Sequence, residues 1–241
     1  MDKIWIITRR EFAAYFKSTI AYVFVVVFLV LNSAFFMNTF FLTLVADMRS
    51  FFSLIPIILA FFIPAITMRL WAEERKLGTM ELLLTLPMQP YQVVIGKFLA
   101  SLFFLMVSLA GTLAIPIMLA KLGSPDWGPI IGGYFGTVFM GAFYLAIGLF
   151  VSGLFEDQIS AFILSMVLCL FFLLIGFDFV TAPIDGWING AGTFMKNVVS
   201  LKSHFDGIER GVLTVKDILY FLTMTGLFLT FNIYSLEGRK Y

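Results

Sequence analysis

Apolar residues gather in six runs along the 241-residue chain, separated by short polar stretches. A helix needs ~20 mostly apolar residues to cross the hydrocarbon core of a bilayer. The runs fall at about Thr19–Phe41, Phe51–Met68, Phe98–Ala120, Ile130–Gly153, Ile159–Phe179 and Ile218–Leu236, and each is read as one membrane span. The second is the shortest and contains Pro56 and Pro64. Each proline removes a helical hydrogen bond, so a kink is expected there.

Polar positions between the runs are also patterned. The opening segment, MDKIWIITRREFAAYFKS, places Lys3, Arg10 and Lys17 seven residues apart and Trp5, Phe12 and Phe16 roughly opposite, with Ile6, Ile7 and Arg9 blurring the pattern. That is the pattern of a basic amphipathic helix lying in the membrane interface over residues 1–18. A plain basic flank that sets topology is the simpler alternative. The first apolar run is too long for a cleavable leader. After the fifth run, residues Val180–Lys216 mix turn signals with short apolar stretches, so short helices on the membrane surface are expected. Thr214 and Asp217 have the spacing that opens a helix, matching the start of the sixth span. In the fourth run Gly132 and Gly136 form a GxxxG pair, and Gly133, Thr137 and Gly141 extend the small-residue spacing. Such positions allow close helix packing, within one chain or between two.

Lysine and arginine set orientation. With the amino terminus inside, the inner side holds Lys3, Arg9, Arg10, Lys17, Arg69, Arg75, Lys76, Lys97, Arg239 and Lys240, and the outer side Arg49, Lys121, Lys196, Lys202, Arg210 and Lys216. Both termini are therefore expected in the cytoplasm. The fold class is an all-α polytopic membrane protein: an interfacial helix, six spans, and short extracytoplasmic helices between spans five and six.

Composition narrows the function. The chain is 61% hydrophobic and 13% charged, against ~45–50% and ~25% for soluble domains, and its mean hydropathy is +0.99. A net charge of +1 creates no field for nucleic acid. The spans are almost free of ionisable groups, which argues against a proton- or sodium-coupled carrier and against a channel with a charged filter. There is no GxxxxGK[ST] phosphate loop and no HExxH. One histidine, His204, and one cysteine, Cys169, offer little to a metal site or a nucleophile. No catalytic residue, metal ligand or cofactor is assigned to this chain, and it is not read as an enzyme.

The most charged stretch lies between the second and third spans: RLWAEERKLGTMELLLTLPMQPYQVVIGK, Arg69 to Lys97. Glu73, Glu74, Arg75 and Lys76 open it; Leu77, Met80, Leu83 and Leu84 then recur at helical steps. Pro87 stops the helix and Lys97 marks re-entry into the bilayer. A short amphipathic helix between two spans either lies on lipid or docks in a groove of a soluble partner; its mixed charges favour a protein partner.

These residues resemble the cytoplasmic loop of ABC-2-type transporter permeases. Glu74, Arg75, Gly78, Thr79, Glu81, Leu82, Leu83, Pro87 and Lys97 follow that family's order. The segment His204–Phe221, HFDGIERGVLTVKDILYF, looks like the gliding-motility and copper-maturation branches. The resemblance implies a single transmembrane domain over 1–241: interfacial helix 1–18, spans one and two 19–68, coupling loop 69–97, spans three to five 98–179, outer segment 180–216, and span six with its tail 217–241. It implies a multi-pass chain of the cytoplasmic membrane, one half of a dimer with a second copy or a paralogue. ATP and magnesium would sit on a separate cytoplasmic ATPase subunit. The helix Glu73–Leu86 would be the coupling helix, with Glu73 to Leu83 at the ATPase interface. The system would export a substrate. The alternative is a motility or maturation machine passing force to a periplasmic protein or lipoprotein at the outer loop. A stand-alone carrier or channel is the third reading.

Overall fold

The computed structural model describes residues 2–43, 45, 47–80, 88–187, 190–212 and 214–238. Among these residues the regular elements are all helices: α1 (Asp2–Lys17), α2 (Thr19–Thr43), α3 (Arg49–Thr67), α4 (Arg69–Lys76), α5 (Pro90–Gly111), α6 (Ala114–Leu122), α7 (Trp127–Ser152), α8 (Gln158–Leu174), α9 (Asp178–Trp187), α10 (Ala191–Val198), α11 (Leu201–Glu209) and α12 (Val215–Glu237).

The helix α7 is the mast of the bundle. Its apolar window is 72% buried, against 22% for α2 and for α12, and it packs on α3, α5, α8, α11 and α12. Its glycines explain how so many neighbours approach. A Cβ on Gly148 would lie 2.1 Å from Thr67 Oγ1 of α3, and one on Gly136 would lie 2.5 Å from Ile208 Cγ2 of α11. Gly132 meets the backbone at Ile208 and Gly211, and Gly141 meets Leu105 of α5. The stripe of Gly132, Gly136 and Gly141 thus serves packing inside one chain.

Among the described residues five helical stretches are long and apolar enough to cross a membrane: α2, α3 with α4, α5 with α6, α7 and α12. A sixth is reached if α8 and α9, bent by 75° at their junction, count as one. The fifth apolar run was expected to stay helical to Phe179, but α8 stops at Leu174. At the bend Gly176 faces the start of α11: a Cβ there would lie 2.5 Å from both Ser200 Oγ and Lys202 Cβ, so the close approach needs glycine. The third span starts earlier than expected, at Pro90 rather than near Phe98. Proline at the first helical position and a Gln89–Gln92 capping box set that start. Lys97 therefore sits two turns inside a helix rather than before it. The expected kink in α3 takes the form of a break at Met68, four residues after Pro64, with both prolines inside the helix.

The segment between α8 and α12 is helical, as its turn signals imply. Asp185 accepts from Thr193 N at 3.0 Å and Oγ1 at 2.7 Å, tying α9 to α10. Instead of resting on the surface, α11 sinks Leu201, His204, Phe205 and Ile208 into the bundle. Thr214 caps α12, and Asp217 pairs with His204 Nδ1 at 2.8 Å. The bundle thus has two ends, one built around α4 and the other around α11.

Candidate functional site

The α4 end is assembled from four segments that are distant in sequence. Its joint is Ser152, the last residue of α7. Ser152 Oγ donates to Met68 O at 2.9 Å and accepts from Trp71 N at 3.1 Å and Ala72 N at 3.2 Å. The first amide groups of a helix have no partner within it. One hydroxyl therefore satisfies the break between α3 and α4 and fastens it to α7. Trp71 and Ala72 are fully buried beneath it.

Arg75 makes the second attachment. Its guanidinium donates to Leu154 O at 2.7 Å, Gly153 O at 3.3 Å and Glu156 Oε1 at 3.1 Å. The fork holds the turn between α7 and α8, where the carbonyls at a helix carboxyl end favour a cation.

Lys97 makes the third. Its side chain is 1% exposed. The ammonium donates to Glu74 Oε1 and to Leu70 O, both at 2.8 Å, and lies 4.8 Å above the centre of the Trp71 ring. Glu11 of α1 approaches it at 3.5 Å. Arg10 pairs with Glu11 at 2.5 Å and reaches Glu74 at 3.9 Å. Burial alone would raise the Glu11 carboxyl, but Lys97 and Arg10 outweigh it and hold the group below its ordinary value. Arg69 joins Ser18 Oγ at 2.6 Å and Glu73 at 3.4 Å. Glu11, Arg69, Glu73, Glu74 and Lys97 line a cleft of about 260 Å³.

The helix α1 packs on α5. Ile7 covers Gly96, Thr8 Oγ1 donates to Gly96 O at 3.2 Å, and Tyr15 and Ser101 share a hydrogen bond at 2.9 Å. Burial pushes the Tyr15 hydroxyl well up. Trp5, Phe12 and Phe16 border that contact. Trp5 is 60% exposed, with its edge on Phe103, and Phe12 lies between Phe16 and Phe103. Arg9 is exposed. The polar residues Thr8 and Glu11 lie at the buried contact, which an apolar-stripe reading passes over.

The expected single helix from Glu73 to Leu86 is interrupted. The helix α4 ends at Lys76, and Gly78 adopts φ +67°, a left-handed stop that glycine takes without a Cβ penalty. Lys76, Leu77, Gly78 and Thr79 form an exposed tip, with Leu77 at 68% exposure, while Met80 turns back into the core. Thr79 Oγ1 donates to Glu74 O at 3.2 Å, closing the turn. Glu81, Leu82 and Leu83 lie outside the described residues. The sequence-chosen residues thus divide into two groups. Glu74 and Arg75 are engaged within the chain, Glu73 is half-exposed beside Arg69, and Lys76 to Thr79 point outward. Glu11, Arg69 and Ser152 complete the joint. No motif marks them, because their partners lie 51 to 84 residues away in two of the three cases. Among the described residues no group of three or more His, Cys, Asp or Glu side chains could hold a metal ion.

Among the described residues, an all-helical bundle with five or six membrane-length segments is that of a polytopic integral membrane protein. Residues 48–201, more than half of the chain, match the family described as ABC-2 family transporter protein. The chain belongs to that family. The matched stretch includes α3, α4, Lys97 and Ser152 and excludes α1. No curated protein matches the chain.

Proposed function

We propose that this chain is the transmembrane subunit through which a separate cytoplasmic ATPase drives export across, or force through, the cytoplasmic membrane. Family membership supports the general role, since ABC-2 permeases generally work with a cytoplasmic ATPase and often dimerise. One observation carries the finer reading: α4 has an exposed tip and a root fixed to α3, α5, α7 and the α7–α8 turn by hydrogen bonds and ion pairs. A push on Leu77 is then delivered to several spans at once. A flexible connector would dissipate it.

In this reading the α4 end faces the cytoplasm, both termini lie inside, and Lys76 to Thr79, with Glu81 to Leu83, meet the ATPase. The likeness of His204–Phe221 to the gliding-motility and copper-maturation branches belongs to the same proposal, with α9 and α10 as the face open to a periplasmic partner. The test is co-purification with the ATPase after Lys76→Glu and Leu77→Glu together. Both residues are exposed, so the melting temperature should hold. Captured ATPase should fall about tenfold or more, as when a central anchor of an interface is lost. Unchanged capture and unchanged stimulation of ATP hydrolysis would remove α4 as the docking element.

A further inference from the structure

The opposite end of the bundle carries a cleft of about 270 Å³ between α3, α8 and α11. Its wall is apolar and exposed on the membrane side: Ile57 of α3, Leu174 at the end of α8, and Phe179 beyond the bend. Its rim is polar and comes from one helix. Lys202, Asp206 and Glu209 are spaced four and three residues apart on one face of α11. Lys202 Nζ stands 3.8 Å from Asp206 and 4.5 Å above the Phe177 ring. An apolar wall under a rim of both charges suits an amphiphile with a zwitterionic head.

The position of the cleft strengthens this. The 17 residues of α8 span about 26 Å at 1.5 Å per residue, short of a hydrocarbon core of ~30 Å. The cleft lies where α8 stops and the chain bends by 75°. A bilayer meeting a short helix thins or lets headgroups descend beside it. The volume lies just under the roughly 300–1,000 Å³ that encloses a whole small ligand. It suits part of a larger molecule whose tail stays in the bilayer.

We propose that this cleft binds a phospholipid carrying both a phosphate and a primary ammonium, with the phosphate at Lys202 and the ammonium between Asp206 and Glu209. Two carboxylates and one lysine line the cleft itself, with Arg49 and Arg210 acting on Glu209 from outside it, so a head carrying both charges finds an opposite partner for each. Burial, with Asp206 adding to it, pushes the Glu209 carboxyl above its ordinary value, and an ammonium beside it would relieve that cost. A quaternary choline has no N–H to donate to either carboxylate. The site needs no ATPase, so its failure would leave the coupling proposal untouched.

The test is native mass spectrometry of the full chain in detergent, given equal amounts of phosphatidylethanolamine, phosphatidylcholine and phosphatidylglycerol with identical acyl chains. The expected result is retention of the ethanolamine lipid about tenfold over the other two, the margin of one charge-assisted hydrogen bond. Asp206→Asn and Glu209→Gln should each erase that preference. Ile57→Trp, which fills the wall without touching the rim, should lower retention of the ethanolamine lipid and provides the test if a rim variant fails to fold. Equal retention of the three lipids, preference for the glycerol lipid, or a preference that survives the variants would overturn the proposal.

Discussion

An ammonium removed from water needs an anion and hydrogen-bond acceptors within reach, or it costs several kcal/mol. Lys97 has Glu74 and Leu70 O at 2.8 Å and Glu11 at 3.5 Å, so the charge is compensated where it lies. The expectation for Lys97→Met is sharp because the lysine is the common partner. Two carboxylates would be left facing each other, and breaking a buried pair costs about 3–5 kcal/mol. The melting temperature in detergent should fall accordingly, and adding Glu74→Gln should restore part of the loss. Glu11 makes a second prediction, in pH. Its carboxyl is held below 4.5 in the fold. Its contribution to stability is therefore complete above that value and is lost as pH falls through the folded-state pKa. Glu11→Gln should remove this part of the acid dependence of the melting temperature, flattening the slope by at most about one proton. An unchanged slope would mean that Glu11 is not tied to Lys97 in the folded protein.

At the scale of elements, the coupling proposal assigns docking to the tip of α4 and transmission to its root. The tip, Lys76 to Thr79, is exposed and bonds back to its own helix through Thr79 and Glu74 O, while Arg75 grips the α7–α8 turn through three hydrogen bonds. Arg75→Ala should accordingly leave ATPase capture intact and lower the stimulation of ATP hydrolysis by the membrane subunit, the reverse of the order expected if Arg75 met the ATPase directly. Co-purification and hydrolysis assays on the same preparation distinguish the two. How far this element was legible in the sequence follows from the range of its contacts. The apolar runs announce the spans because the bilayer imposes a length on each. Gly78 after Lys76 is a readable helix stop, yet the helical spacing of Leu77, Met80, Leu83 and Leu84 reads straight across it. The core takes Met80 and leaves Leu77 outside. Lys97 is visible as a charge near a bilayer edge, but its pairing with Glu74, 23 residues earlier, depends on α5 starting at Pro90. The bend after α8 was not legible, because it lies at Gly176, whose close neighbours Ser200 and Lys202 are more than about twenty residues further along the chain. Composition around Leu174 contains no trace of that contact.

For the whole molecule, the two ends have opposite characters, and that asymmetry can be measured without knowing any substrate. The α4 end gathers Arg10, Arg69, Arg75 and Lys97 about one joint, and the α11 end carries the helices α9 to α11. A chain that passes force between compartments must place these ends on opposite faces of one membrane. Cys169 is fully buried, so Cys169→Ser is a quiet background for labelling. In that background Thr79→Cys should react with a membrane-impermeant maleimide only after the membrane is opened. Trp187→Cys, at a position 92% exposed, should react in intact cells. The lysine and arginine balance and the coupling proposal both require this pairing. If both cysteines reacted from outside, the segment between them would cross the membrane an even number of times, and α4 could not be the element that an ATPase pushes.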